Sequence, residues 1–167
     1  MMKSSCEKFI EDAVSAYSDT VFRVAFQYTR NRSDAEDIVQ EVFIRLLKKM
    51  PPVTGEKLKA WLIRVTINRS KDYLRANSRR RAALSGLAPA AVRQYRSEEY
   101  GEVFDELAGL PERDRNALYL HYYEGYTAKE IAGIIGGSER AVTGYKIRSR
   151  NRIGRAREKL KFLLEEE

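Results

Sequence analysis

The stretch "TAKEIAGIIGGSERAV", Thr127–Val142, decides how this chain folds. Thr127 and Glu130 have the spacing of a capping box, in which hydroxyl and carboxylate satisfy the exposed amides of a helix start. A short apolar helix follows, Gly136-Gly137 supplies a tight turn, and Ser138 is placed to cap the next helix. Ala132 is small enough for two helices to cross closely, Gly136 can take a positive φ, and Val142 fills the core under the second helix. Each feature alone is common. In this order, and followed by a basic helix, they predict a helix-turn-helix that binds DNA rather than a generic helical hairpin.

On its C-terminal side the stretch runs into "TGYKIRSRNRIGRAREKLKF", Thr143–Phe162, with Arg or Lys at almost every other position. On its N-terminal side stands "LPERDRNALYLHYYEGY", Leu110–Tyr126. There Pro111 suits the first position of a helix and Gly125 suits its stop.

Charge divides the rest of the chain. Residues 7–47 carry a net −3, residues 62–83 a net +6, residues 98–130 a net −6 and residues 138–161 a net +7. Two basic surfaces, each preceded by an acidic helical block, predict two modules. Between them "RRRAALSGLAPAAVRQYRSEE", Arg79–Glu99, has Gly86, Pro89 and little apolar periodicity, and reads as a flexible linker. The expected boundaries are a first domain over 5–80, a linker over 81–98 and a second domain over 99–167.

The first module is helical by the same reasoning. Phe9, Ile10, Ala13, Val14, Tyr17, Val21, Phe22, Ala25 and Phe26 recur at helical spacing. In "RSDAEDIVQEVFIRLLKKMPP", Ser33 with Glu36 has capping-box spacing. Ala35, Ile38, Val39, Val42, Phe43, Leu46 and Leu47 form one apolar stripe, and Pro51-Pro52 ends it. The other face carries Asp34, Asp37, Gln40, Glu41 and Arg45; taken alone, such a face is merely solvated. A third helix, from Glu56 to Arg81, is expected to pack through Leu58, Trp61, Leu62, Val65 and Tyr73 and to present Arg64, Asn68, Lys71 and Arg75. Strand signals are absent, so the predicted fold class is all-α, two small helical domains.

Bulk properties fit a nucleic-acid partner. The 167 residues carry a net charge of +7. A single cysteine, Cys6, allows no internal disulfide and suggests a reducing compartment. No apolar run is long enough to span a bilayer and the N-terminus lacks a signal peptide's apolar core, which predicts a cytoplasmic protein. His121, the one histidine, gives little support for a metal or acid–base site, and the Tyr119, Tyr122, Tyr123, Tyr126 cluster reads as packing or a protein contact.

Three successive motifs, "DAEDIVQEVFIRLL", "KLKAWLIRVTINRSKDYLR" and "LPERDRNALYLHYYEGYTAKEIAGIIGGSERAV", resemble a bacterial RNA polymerase sigma factor of the extracytoplasmic-function (ECF) group. The resemblance covers nearly the whole chain in the family's order. It implies a sigma region 2 helical bundle and a region 4 helix-turn-helix that bind core RNA polymerase, direct it to promoter DNA and help open it. Asp37, Gln40, Glu41 and Arg45 would meet the β′ clamp helices. Arg64, Asn68, Lys71 and Arg75 would meet the minus-ten DNA, with the loop "PPVTGEKLK" capturing melted bases. Ser138, Arg140, Thr143, Lys146, Arg148 and Arg150 would meet the minus-thirty-five element, while the second domain rests on the β flap. The catalysis belongs to the polymerase, so the resemblance calls for no catalytic residue, metal or cofactor here. An anti-sigma factor is a further partner it allows.

The chain departs from the family pattern in its basic rod, where about seven extra residues, Thr143–Ser149, stand before "RNRIGRAREKL". Seven residues are almost two helical turns. Val142, Tyr145, Ser149, Ile153, Ala156, Leu160 and Leu163 then keep a seam across the insertion, which predicts one lengthened helix. The competing expectation is a break at Gly144, since glycine costs a helix about 1 kcal/mol relative to alanine. Two rival functions are a helix-turn-helix repressor or activator working without polymerase, and a recombinase with a helix-turn-helix tail. The recombinase needs a nucleophile and an arginine cluster in a catalytic fold, whereas the first 80 residues read as plain helices.

Overall fold

The computed structural model describes residues 2–84, 107 and 109–152, with side chains described to residue 148. Among them are six α-helices and no strand: α1 (Met2–Thr29), α2 (Arg32–Lys49), α3 (Gly55–Ala83), α4 (Glu112–Tyr122), α5 (Ala128–Ile135) and α6 (Glu139–Arg152). The chain is all-α, and it divides into two compact units, Met1–Tyr95 and Arg96–Glu167. Residues 85–98 of the expected linker lie outside the described residues, while Arg81–Ala83 continue α3.

In the first unit α1 packs on both α2 and α3. Its core is built from Ala13, Val21, Val24, Ala25 and Phe26 of α1, Ala35, Ile38, Val42 and Leu46 of α2, and Leu58, Leu62, Ile63, Val65 and Ile67 of α3. Each large apolar side chain so buried contributes roughly 1.5–3 kcal/mol. Ser70 is the last buried residue of α3, and Thr66 within that core donates its hydroxyl to the Leu62 carbonyl at 2.7 Å. Two apolar expectations are corrected. Leu47 is 52% exposed and Val14 38% exposed, because both sit at the edge of their stripes, where the helix turns away from its neighbours. Trp61 and Tyr73 are half-buried rather than central.

The start of α2 is also corrected. Arg30 takes φ 50°, and Asn31, not Ser33, is the cap: its side-chain oxygen accepts from the Asp34 amide at 3.1 Å. Ser33 already lies in the first turn, and Glu36 instead accepts from Arg32 at 2.9 Å. At the other end Met50 takes a left-handed conformation and donates its N–H to Leu46 at 2.8 Å, so the stop precedes the prolines.

In the second unit α4, α5 and α6 pack against one another in all three pairings. Pro111 is the N-cap of α4 rather than its first helical residue, its extended ψ of 148° keeping it just outside the helix. Gly125 takes φ 77° in the turn after α4. The Thr127–Glu130 capping box is present in both directions, at 3.2 and 2.8 Å. Gly136, at φ 84° and ψ 162°, occupies a region essentially restricted to glycine. Ser138 then accepts from the Ala141 amide at 3.1 Å, and Val142 is fully buried. Ala132 is half-buried beside the buried Ile131 and Ile134. Through Gly144 α6 runs without a break to Arg152. Ile153, Ala156, Leu160 and Leu163 of the expected seam lie outside the described residues.

Candidate nucleic-acid interface

Three exposed helical faces carry the residues singled out by the sequence. On α2, Asp37, Gln40, Glu41 and Arg45 are all exposed; Asp37 and Gln40 lie opposite Ala35, Ile38, Val42 and Leu46, and Glu41 and Arg45 on the flank. The face is not uniformly polar, because Ile44 (51% exposed) and Leu47 share the helix surface with them. Glu41 is not a solitary acid. It accepts from Arg69 of α3, at 2.7 Å from Nε and again from Nη2. One carboxylate thus ties α2 to α3 while remaining half in solvent.

On α3, Arg64, Asn68 and Arg75 are exposed and Lys71 is half-buried, at steps of four, three and four that keep them on one side. Asp72 sits among the bases, 3.7 Å from Arg69 and 3.6 Å from Arg75. Such exposed pairs contribute little to stability, so exchanging Asp72 for another anion costs Arg75 little. Arg79, Arg80 and Arg81 extend the basic surface to the end of the helix. Tyr73 donates its hydroxyl to Asp34 of α2. Burial, then the bond to Asp34 and its negative charge, push the Tyr73 hydroxyl up to about 12. Upstream of α3, the Tyr17 hydroxyl donates to the Gly55 carbonyl at 3.2 Å and so anchors the end of the loop that follows α2.

On α6, Ser138, Arg140 and Thr143 are exposed and Lys146 is half-buried. The Thr143 hydroxyl donates back to Glu139 at 3.1 Å. Arg148 reaches across to α4. Its guanidinium lies 3.3 Å from the buried Asp114 carboxylate and 5.1 Å from the centre of the Tyr145 ring. Arg148 nevertheless stays 57% exposed, and five N–H donors leave several for an outside acceptor. The Arg150 side chain lies outside the described residues.

The Glu41–Arg69 and Asp114–Arg148 pairs leave no local mark in the sequence, since their members are 28 and 34 residues apart. The aromatic cluster is partly internal, with Tyr119 and Tyr126 buried and Tyr123 48% exposed. Tyr119 and Tyr123 stack at 5.2 Å, and Tyr119 donates to Glu124 at 2.7 Å. His121 lies 2.8 Å from the Tyr126 carbonyl through Nδ1, which must therefore carry the proton. Among the described residues no group of His, Cys, Asp and Glu is arranged to hold a metal ion, and no helix is long and apolar enough to cross a membrane.

Residues 13–80 match the family Sigma-70 region 2, and residues 100–160 match Sigma-70, region 4. An ECF RNA polymerase sigma-E factor of Haemophilus influenzae is 32% identical over 162 residues, 87% of this chain and 82% of that protein. RNA polymerase sigma factor SigV of Bacillus subtilis is 26% identical over 84% of this chain and 86% of its own length. A probable sigma factor, RfaY of Xanthomonas campestris, is 30% identical over 92% of this chain, which spans only 40% of that longer protein. Among solved structures, the sigma factor RpoE of Bartonella quintana, bound to the anti-sigma factor NepR, superposes with a TM-score of 0.72 at 23% identity, covering 87% of this chain and 94% of that one.

Proposed function

The chain belongs to the ECF RNA polymerase sigma factors, and from that premise we propose that it binds core RNA polymerase and directs promoter-specific initiation of transcription. The observation that carries the reading is the succession of the two sigma regions in one chain, each presenting an exposed face of the required chemistry. A repressor or activator working without polymerase is not favoured, because it has no use for region 2. Sigma factors are regulators, and the chemistry of RNA synthesis stays with the polymerase.

Within this reading Asp37, Gln40, Glu41 and Arg45 dock on the β′ clamp helices. Arg64, Asn68, Lys71 and Arg75 hold minus-ten DNA as it opens. Ser138, Arg140, Thr143, Lys146, Arg148 and Arg150 hold the minus-thirty-five element, with the β flap behind them. The domains divide at 5–80, 81–98 and 99–167. Lys and Arg on phosphates supply attraction that ignores sequence, while a few groups on base edges select it. An anti-sigma factor and a cytoplasmic place of action complete the proposal.

The test is transcription from a promoter library by purified core polymerase, with and without the protein. Selection of a two-part promoter that depends on the protein supports the reading; operator binding with no effect on initiation overturns it. Replacing Asn68, Lys71 and Arg75 by Ala should retain core binding and reduce permanganate reactivity of the melted strand. Normal melting by that variant removes the α3 face from the proposal.

A further inference from the structure

An α-helix turns about 100° per residue, so Val142, fully buried, fixes the inward side of α6. Arg140, Gly144 and Ile147 then fall within about 60° of one another on the opposite side, with Thr143 on one flank and Arg148 on the other. Arg148, though exposed, is turned to Asp114 on α4. The outward stripe is thus less basic than the helix as a whole, and its largest apolar member, Ile147, is 53% exposed.

Gly144 gives a second, independent observation. A β-carbon added there meets nothing within 4 Å, and its backbone is ordinary helix. Neither crowding nor a positive φ requires glycine, yet glycine costs the helix about 1 kcal/mol relative to alanine. Nothing among the described residues of the module calls for glycine there, and a position without a side chain on the outward side lets another molecule approach the helix closely. Thr143 points the same way, because its hydroxyl is spent on Glu139 and its methyl is what remains to offer.

From these observations we infer that Gly144 and Ile147 form the close contact of α6 with the floor of the major groove, where Ile147 reads a thymine methyl; the inference rests on the minus-thirty-five reading above. The major groove is about 12 Å wide and a helix with side chains about 10–12 Å across, so one bare position on the stripe decides how deeply the helix seats. The thymine 5-methyl is the apolar group that base pairs display in that groove. Arg140 and Ile147 are seven residues apart, about 10 Å along the helix. The thymine therefore lies within about three base pairs of the position that Arg140 reads, at 3.4 Å per pair.

The experiment uses the full chain with core polymerase on the promoter that the library selects. Each upstream thymine is replaced in turn by deoxyuridine, which removes the methyl alone. One replacement should weaken binding about fourfold, the share of a single buried methyl. Ile147→Ala should cause a similar loss on thymine and abolish the sensitivity to deoxyuridine at that position. Gly144→Ala should raise the unfolding midpoint of the second unit while weakening upstream binding about tenfold through overpacking at the groove. Unchanged deoxyuridine sensitivity in Ile147→Ala overturns the inference, as does full affinity in Gly144→Ala. So does a loss of core affinity in Ile147→Ala with base selection intact, which would make Ile147 a polymerase contact. A promoter with an upstream preference but no methyl sensitivity removes this inference alone; no upstream preference at all removes the minus-thirty-five reading with it.

Discussion

The two units fasten their basic helices in different ways. In the first, α3 lies along α1 and α2, buries seven residues and adds the polar ties Tyr73–Asp34 and Arg69–Glu41. In the second, α6 follows a two-residue glycine turn, packs on both α4 and α5 around the buried Val142 and adds the Arg148–Asp114 pair. The basic residues differ as well. Arg69 and Arg75 of α3 share Asp72 as a counter-ion, whereas Glu139 is the one acid of α6, placed at its first residue. The basic helix of the first unit thus has two polar ties to its neighbours and part of its charge balanced by Asp72. That of the second has, among the described residues, the Arg148–Asp114 tie and a single acid of its own.

Four changes break or sharpen this contrast. The largest effect is expected where a tie is also a proposed docking point. Reversing Asp37 and Glu41 to Lys should abolish co-purification with core polymerase, yet leave helical content by circular dichroism intact, because the lost Glu41–Arg69 pair is exposed and of small energy. Unchanged core affinity would return the α2 face to plain solvation. Next is Gly136→Ala, which forces a side chain into a glycine-only conformation at a cost of about 1–3 kcal/mol. The second unit should melt earlier and the first should not; equal shifts in both would contradict their independence.

Smaller again is Asn31→Ala, expected to cost the first unit about 1 kcal/mol in urea unfolding, with Ser33→Ala near zero. The reverse order would restore Ser33 as the cap. The least effect near neutral pH belongs to Tyr73→Phe. The folded hydroxyl, held up to about 12, stays protonated where the unfolded one, at its ordinary value of 10.0, has begun to ionise. The stabilisation is therefore complete below about pH 10 and is lost as pH rises towards 12. Alkaline unfolding should show this slope in the parent and lose it in Tyr73→Phe.

The helix-turn-helix was legible because its signals are local. Thr127 with Glu130, Gly136 and Ser138 act within three or four residues of their own backbone, so their spacing states what they do. The Ser33–Glu36 pattern misled for the same reason. Two overlapping candidates fit the start of α2, and the left-handed Arg30 that selects Asn31 leaves no mark in composition. Leu47 shows the limit of periodicity, since an apolar side chain at the edge of a stripe is buried only if a neighbouring helix happens to cover it. The pairings of Glu41 and Arg148 depend on which helices meet, and become readable only once three-dimensional packing is known.

The point where burial stops along α3 has a mechanical consequence. Its last fully buried residue is Ser70 and its last tie to α2 is Tyr73 on Asp34, beyond which ten residues run to Ala83, about 15 Å of helix at 1.5 Å per residue. That length behaves as a cantilever, clamped at its root and loaded at its tip, where Arg79, Arg80 and Arg81 gather the charge. A rotation of a few degrees at the clamp becomes a displacement of an ångström or more at the end, on the order of what separates a seated phosphate contact from a missed one. Beyond the Tyr73–Asp34 bond the stiffness of this beam rests increasingly on its own backbone hydrogen bonds and governs how faithfully the tip follows the root, and amide exchange should quicken step by step from Tyr73 outward.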